Sequence, residues 1–124
     1  MTDQRAMPAR GAIRLADVPD FVLGGVSVRA SRGELMQGGN VERVEPRLMQ
    51  VLVALAQANG ATVSRQELTA RCWGGLAMSP DAVNRVISLL RQLLTRLEPG
   101  ARIETLPRIG YRLDIVANPI AISP

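Results

Sequence analysis

Between Ser64 and Leu113 the chain strings together a capped helix, a Trp-Gly-Gly stop, a longer arginine-bearing helix and a hairpin whose second strand opens on Gly-Tyr. Ser64-Arg65-Gln66-Glu67 has the spacing of a capping box, in which hydroxyl and carboxylate satisfy free N–H groups at a helix start. Leu68, Cys72 and Trp73 give this helix an inward face, and Gly74-Gly75 stops it. After a turn at Leu76-Ala77-Met78, Ser79-Pro80 restarts the chain with an N-cap and a proline suited to a first helical turn. The helix predicted there runs to Leu97, and Pro99-Gly100 breaks it. Val83, Val86, Ile87, Leu90, Leu94 and Leu97 share one side of its wheel. Asp81, Asn84, Arg85, Ser88, Gln92 and Thr95 centre the other side, flanked by Arg91 and Arg96, with Leu89 at the boundary. Arg102–Leu106 and Tyr111–Ile115 read as strands around a tip at Pro107-Arg108-Ile109-Gly110.

Upstream the periodicity changes. Val26 and Val28 alternate with Ser27 and Arg29, the mark of a half-buried strand. Ser31-Arg32-Gly33 supplies a turn, Glu34–Gln37 a second strand, Gly38-Gly39-Asn40 another turn and Val41–Val44 a third strand. Phe21–Glu45 is therefore expected to form a small antiparallel sheet. Pro46 opens a first helix on which Leu48, Val51, Leu52 and Leu55 recur, and Gly60 is expected to close it as a left-handed cap. Ala61-Thr62-Val63 is an extended link. Residues 1–20, with Pro8, Gly11, Pro19 and no sustained period, read as a flexible arm. Residues 21–116 read as one domain and 117–124 as a tail or linker.

Composition removes several classes. The chain has 124 residues, 47% of them hydrophobic, enough for a core but with no apolar run long enough to cross a bilayer. No signal peptide is legible, so a cytoplasmic, nucleoid-associated location is expected, or a membrane-tethered one if this is part of a longer protein. There is no histidine, and the lone Cys72 has no partner for a disulfide. Metal, cofactor and nucleophilic-enzyme readings therefore find no support, and no small-molecule substrate is expected. All 15 basic residues are arginine, as a GC-rich genome would favour, and the net charge is +4. Six arginines balance six acidic residues up to Glu45, whereas nine face five beyond it. The positive excess thus accompanies the helices and hairpin, a modest footprint for nucleic acid.

These parts, in this order, describe an α+β fold: a winged helix-turn-helix with an N-terminal antiparallel sheet, three helices and a C-terminal β-hairpin wing. Glu45-Pro46-Arg47-Leu48, Val63-Ser64-Arg65-Gln66-Glu67-Leu68, Cys72-Trp73-Gly74-Gly75 and Asn84-Arg85-Val86-Ile87 leading to Leu90-Arg91 follow one another at a distinctive spacing. With Ile103 to Leu113, they resemble the OmpR/PhoB-type DNA-binding domain of bacterial transcription regulators, nearest the branch of ToxR and CadC. That resemblance implies a four-stranded N-terminal sheet and head-to-tail binding of two copies to direct-repeat double-stranded DNA. It also implies an RNA polymerase contact at the loop Gly74, Gly75, Leu76, Ala77 and Met78. Response regulators of this type carry a phosphorylated receiver domain, for which 124 residues leave no room.

The candidate site follows from the third helix. Asn84, Arg85, Ser88 and Gln92 recur at helical spacing and can address one groove together. Arg85 suits a guanine edge, Gln92 or Asn84 an adenine, and Leu89 a thymine methyl. Arg91 and Arg96 suit phosphates, as does Ser79 at the helix start. The resemblance adds Trp73 and Thr105 as phosphate contacts, though Trp73 also reads as core. Arg108 at the wing tip could enter the adjacent minor groove. The bland alternative is an ordinary solvated helix face. A second functional reading is a protein-interaction module that meets RNA polymerase or another regulator through exposed Leu76, Met78 and Leu89.

Overall fold

The computed structural model describes residues 12–74, 78–97 and 100–115. Strands β1 (Phe21–Leu23), β2 (Val26–Arg29), β3 (Glu34–Gln37) and β4 (Asn40–Arg43) form an antiparallel meander in sequence order. Helices α1 (Pro46–Gln57), α2 (Arg65–Cys72) and α3 (Pro80–Leu97) follow, then the hairpin β5 (Ala101–Leu106) and β6 (Gly110–Ile115). The four-stranded sheet, three helices and terminal wing expected from the resemblance are all present.

The sheet register sets Val28 between Phe21 and Leu35. Val26, Val28 and Leu35 are buried, while Ser27 is exposed. The alternation read at Val26–Arg29 is thus the pleat of a half-buried sheet. β1 has only three residues, too few to show a period, and it pairs with β2 across Gly24-Gly25.

α1 is the centre of the core. Met49, Val51, Leu52, Val53, Ala54 and Leu55 are all fully buried, so the helix is enclosed on more than one stripe. It ends before Gly60. The Ala58 N–H bonds the Leu55 carbonyl at 3.3 Å, tightening the last turn, and Asn59 is already left-handed at φ 51. Asparagine tolerates that conformation, so it reverses the chain and Gly60 (φ 90) continues the turn.

Both later helices start as their sequences require. Ser64 Oγ accepts from the Glu67 N–H at 3.0 Å, and Ser79 Oγ from the Ala82 N–H at 3.3 Å. α2 ends at Trp73 and a left-handed Gly74 (φ 67). There Arg47 of α1 donates to the Cys72 carbonyl at 2.6 Å, meeting an orphan acceptor with positive charge. The amphipathic α3 buries Val83, Val86, Ile87, Leu90, Leu93 and Leu94.

The expected arm of residues 1–20 divides. Residues 1–11 lie outside the described residues, but Ile13 is buried and its N–H bonds the Arg71 carbonyl at 2.8 Å. Gln50 Nε2 donates to the Ile13 carbonyl at 3.2 Å, and Leu15 and Val18 pack on the core. This part is docked, and its short apolar spacing is too brief to read as an element. The expected tail at 117–124 lies outside the described residues.

Val63 joins the wing to the helices. Its N–H bonds the Tyr111 carbonyl at 2.7 Å, and the Tyr111 N–H bonds the Val63 carbonyl at 2.9 Å. A Cβ on Gly110 would lie 2.1 Å from that Val63 oxygen, so only glycine admits this approach. Gly110→Ala is expected to cost about 3 kcal/mol or more, since backbone must move. Gly74→Ala meets open space and is expected to cost about 1 kcal/mol for its left-handed φ alone. Urea unfolding of the two variants checks this, and equal losses would remove close approach as the cause.

Burial pushes the Cys72 thiol from its ordinary 9.0 up to about 12, against the opposing pull of Arg71 and Arg47. The unfolded chain therefore loses this proton first as pH rises. The stability tied to the neutral thiol is complete below pH 9 and is lost between 9 and 12. Unfolding free energy is expected to fall by about 1.4 kcal/mol per pH unit there. Cys72→Ala should flatten that slope in denaturant titrations at stepped pH.

Candidate nucleic-acid interface

The outward face of α3 carries Asn84, Arg85, Ser88, Gln92, Thr95 and Arg96, all exposed. Among the described residues, Arg85, Ser88 and Gln92 have no hydrogen-bond or ion-pair partner. Their polar groups are open to an incoming surface. Leu89 and Met78 are half-buried rather than exposed, and Gly75, Leu76 and Ala77 lie outside the described residues. Gly74 is exposed at the end of α2.

The residues expected at phosphates have more varied surroundings. Arg91 reaches across to β5, its Nε and Nη2 donating to the Ile103 carbonyl at 3.2 and 3.1 Å. Nη2 also donates to Thr105 Oγ1 at 2.5 Å, so the structure brings Arg91 and Thr105 together. Arg96 instead pairs with Glu42 of β4 at 2.5 Å, at the far end of α3. Its Cα lies about 18 Å along the helix from that of Asn84 at 1.5 Å per residue. Trp73 packs partly on the core, with the Arg47 guanidinium 4.9 Å from its ring centroid. Ser79 is exposed at the start of α3 while its hydroxyl caps the helix.

At the wing tip Arg108 is exposed and held at φ 66. A left-handed backbone at a non-glycine residue costs about 1–2 kcal/mol, strain of the kind found at functional positions. Beside it Ile109 is 59% exposed. A cleft of about 360 Å³ runs between the wing and the start of α2, lined by Ser64, Arg65, Gln66, Thr105, Arg108 and Tyr111 among others.

Arg65 stands in the capping box and in the Val63–Leu68 run of the sequence, neither of which assigns its side chain a role. Its Nη2 donates to the Tyr111 hydroxyl at 3.1 Å, and that hydroxyl donates to Asn84 Oδ1 at 2.7 Å. This chain joins α2, the wing and α3. The hint available in sequence was an arginine directly after an N-cap, an exposed position on a short helix.

Most arginines of the basic half are engaged. Arg96, Arg102 and Arg112 pair with carboxylates, and Arg47, Arg65, Arg71 and Arg91 donate to neutral groups. Arg85 and Arg108 are the two for which the described residues offer no partner. One lies on the face of α3, the other at the wing tip. Among the described residues no three His, Cys, Asp or Glu gather to hold a metal, and no helix is long and apolar enough to cross a membrane.

Residues 39–113 match the family described as "Transcriptional regulatory protein, C terminal". The chain belongs to this family. Transcriptional regulator HilA of Salmonella typhimurium is 32% identical over 95 residues, 74% of this chain and 17% of HilA. Transcriptional activator CadC of Escherichia coli is 33% identical over 90 residues, 71% of this chain and 18% of CadC. The chain thus spans less than a fifth of these relatives' length. The solved DNA-binding domain of E. coli CadC superposes with a TM-score of 0.67 at 32% identity, covering 75% of this chain and 89% of that domain. The DNA-binding domain of Klebsiella pneumoniae RstA, solved with its RstA box, shares the fold at 22% identity and a TM-score of 0.65, covering 78% of this chain and 98% of that one. This family member has the fold of a transcription-regulator DNA-binding domain of OmpR/PhoB type.

The Arg91 contacts make that side chain part of the scaffold. Arg91→Met should destabilise the DNA-free domain by about 1–3 kcal/mol, because the buried Ile103 carbonyl loses a charged donor. Arg85→Met should stay within about 0.5 kcal/mol of wild type. Chemical denaturation of both variants measures the difference.

Proposed function

We propose that this domain binds double-stranded DNA sequence-specifically for a bacterial transcription regulator, with α3 in the major groove and the wing at the adjacent minor groove. The observation that carries this reading is the guanidinium of Arg85 on the polar face of α3, unpartnered among the described residues. A guanidinium held free on a rigid helix meets guanine O6 and N7 bidentately. Asn84, Ser88 and Gln92 read neighbouring base edges, and Leu89 packs on a thymine methyl. Arg108 enters the minor groove, consistent with its strained and exposed position at the tip.

Trp73, Ser79, Thr105, Arg91 and Arg96 line the phosphate backbone. Arg91 would do so through Nη1, whose two N–H groups its contacts with Ile103 and Thr105 leave over. Arg96 would exchange part of its pairing with Glu42. Two copies sit head-to-tail on direct repeats, in the cytoplasm, and the loop Gly74–Met78 is offered to RNA polymerase.

A second reading, a protein-interaction module, draws on different surfaces. Val22 and Val41 on the sheet are 69% and 52% exposed. An open groove of about 690 Å³ lies between β1, the end of α1 and β6, with Phe21, Leu23, Leu55 and Leu113 in its walls. No residue of α3 lines this groove, so its use can coexist with DNA binding.

Fluorescence anisotropy on labelled genomic fragments across a salt series tests the first reading. Wild type is expected to bind selected fragments with a steep salt dependence. Arg85→Ala should weaken that binding by about 1–3 kcal/mol while leaving thermal unfolding unchanged. Weak binding indifferent to fragment and to the mutation would move the function to protein contact.

A further inference from the structure

Asn84 differs from its neighbours on the polar face because one end of its amide is already engaged. Tyr111 is 2% exposed, so its hydroxyl proton needs a protein acceptor. Arg65, on one side of that hydroxyl, is a pure donor and occupies an oxygen lone pair at 3.1 Å. The proton therefore goes to the other side, to Asn84 Oδ1 at 2.7 Å. Turning the amide over would set its NH2 against an oxygen already receiving Arg65 and leave the tyrosine proton without an acceptor. The direction of this hydrogen-bond chain thus fixes the amide with oxygen inward and nitrogen outward. Asn84 is exposed, and its outward N–H groups have no acceptor among the described residues.

We propose that Tyr111 is a positioning residue that holds the Asn84 amide with its oxygen inward and its nitrogen toward the groove, selecting guanine over adenine at the base pair it faces. This rests on the DNA-reading function proposed above. An asparagine that reads adenine needs both ends of its amide, the oxygen for N6–H and the nitrogen for N7. With the oxygen turned inward to Tyr111, the amide meets the base nitrogen-first, and to that nitrogen adenine offers one acceptor and an opposing donor. Guanine offers two acceptors, O6 and N7, for the two amide hydrogens. Gln92, with both amide ends unpartnered among the described residues, remains the adenine reader of this face. Because Tyr111 follows the bend at Gly110, the base preference of α3 is set in part from the wing.

The test uses the full chain and a duplex site selected by the wild type from a randomised library. Anisotropy is then measured for every single base-pair change in wild type, Tyr111→Phe and Asn84→Asp. Tyr111→Phe should still unfold cooperatively, with a melting temperature lower by roughly 4–8 °C for the hydrogen bonds lost, and should keep its affinity for random duplex. At one G·C pair its preference for guanine over adenine should fall about 10-fold, as the freed amide turns. Asn84→Asp, which presents oxygen outward, should shift preference at that same pair toward cytosine or adenine. In the DNA-free protein, the Asn84 side-chain amide resonances should move on Tyr111→Phe. Unchanged guanine preference in Tyr111→Phe, or a uniform loss at all sites, would overturn the proposal while leaving DNA reading intact. A wild type that selects no sequence overturns both.

Discussion

Two backbone hydrogen bonds between Val63 and Tyr111, at 2.7 and 2.9 Å, decide where the wing stands relative to the helices. They make the link between α1 and α2 a one-residue third strand of the hairpin. Everything at the candidate interface is arranged around that seam. It needs Gly110, because no side chain fits against the Val63 carbonyl. It seats Tyr111 where one hydroxyl can meet both Arg65 and Asn84. It also leaves the wing tip projecting beside the start of α2, which creates the cleft.

α3 is braced at several points along its length. Near its start Asn84 is tied to Tyr111, and in its middle Arg91 is tied to Ile103 and Thr105. At its end Arg96 meets Glu42, and Gln37 donates to the Leu97 carbonyl. Side chains that read a groove work only if their backbone is held within a fraction of an ångström, and such bracing supplies that. The apolar side of α3 alone would fix its depth in the core. The polar ties fix its rotation, and so which residues face outward.

Much of this fold is legible locally. Caps at Ser64 and Ser79, the stop at Gly74, the amphipathic period of α3 and the bend at Gly110 are each written within a few residues. What stays hidden is written across distance. Arg65 and Tyr111 are 46 residues apart, and Arg96 and Glu42 are 54 apart. No periodicity announces which arginine meets which acceptor. Arg91 therefore looks in sequence like a second Arg85, although one is bound to β5 and the other has no described partner. Burial of Val53 and Ala54 on the far side of α1 is hidden for a related reason. A helix enclosed by two helices, the wing strand β6 and the short turns at Leu15–Asp17 and Ala30–Arg32 no longer has the single stripe that a wheel can detect.

The tally of positive charge is thus a weaker guide than the tally of unused donors. A guanidinium has five N–H groups in a fixed fork. Arg91 commits three of them within the domain, leaving one nitrogen to offer, whereas Arg85 commits none among the described residues. The same reasoning separates two amides that look alike in sequence, since Asn84 has committed its oxygen inward to Tyr111 and Gln92 has no partner among the described residues. Chemical identity sets what a side chain can recognise in principle. The hydrogen bonds made inside the fold subtract from that repertoire, and the remainder is what a base edge meets.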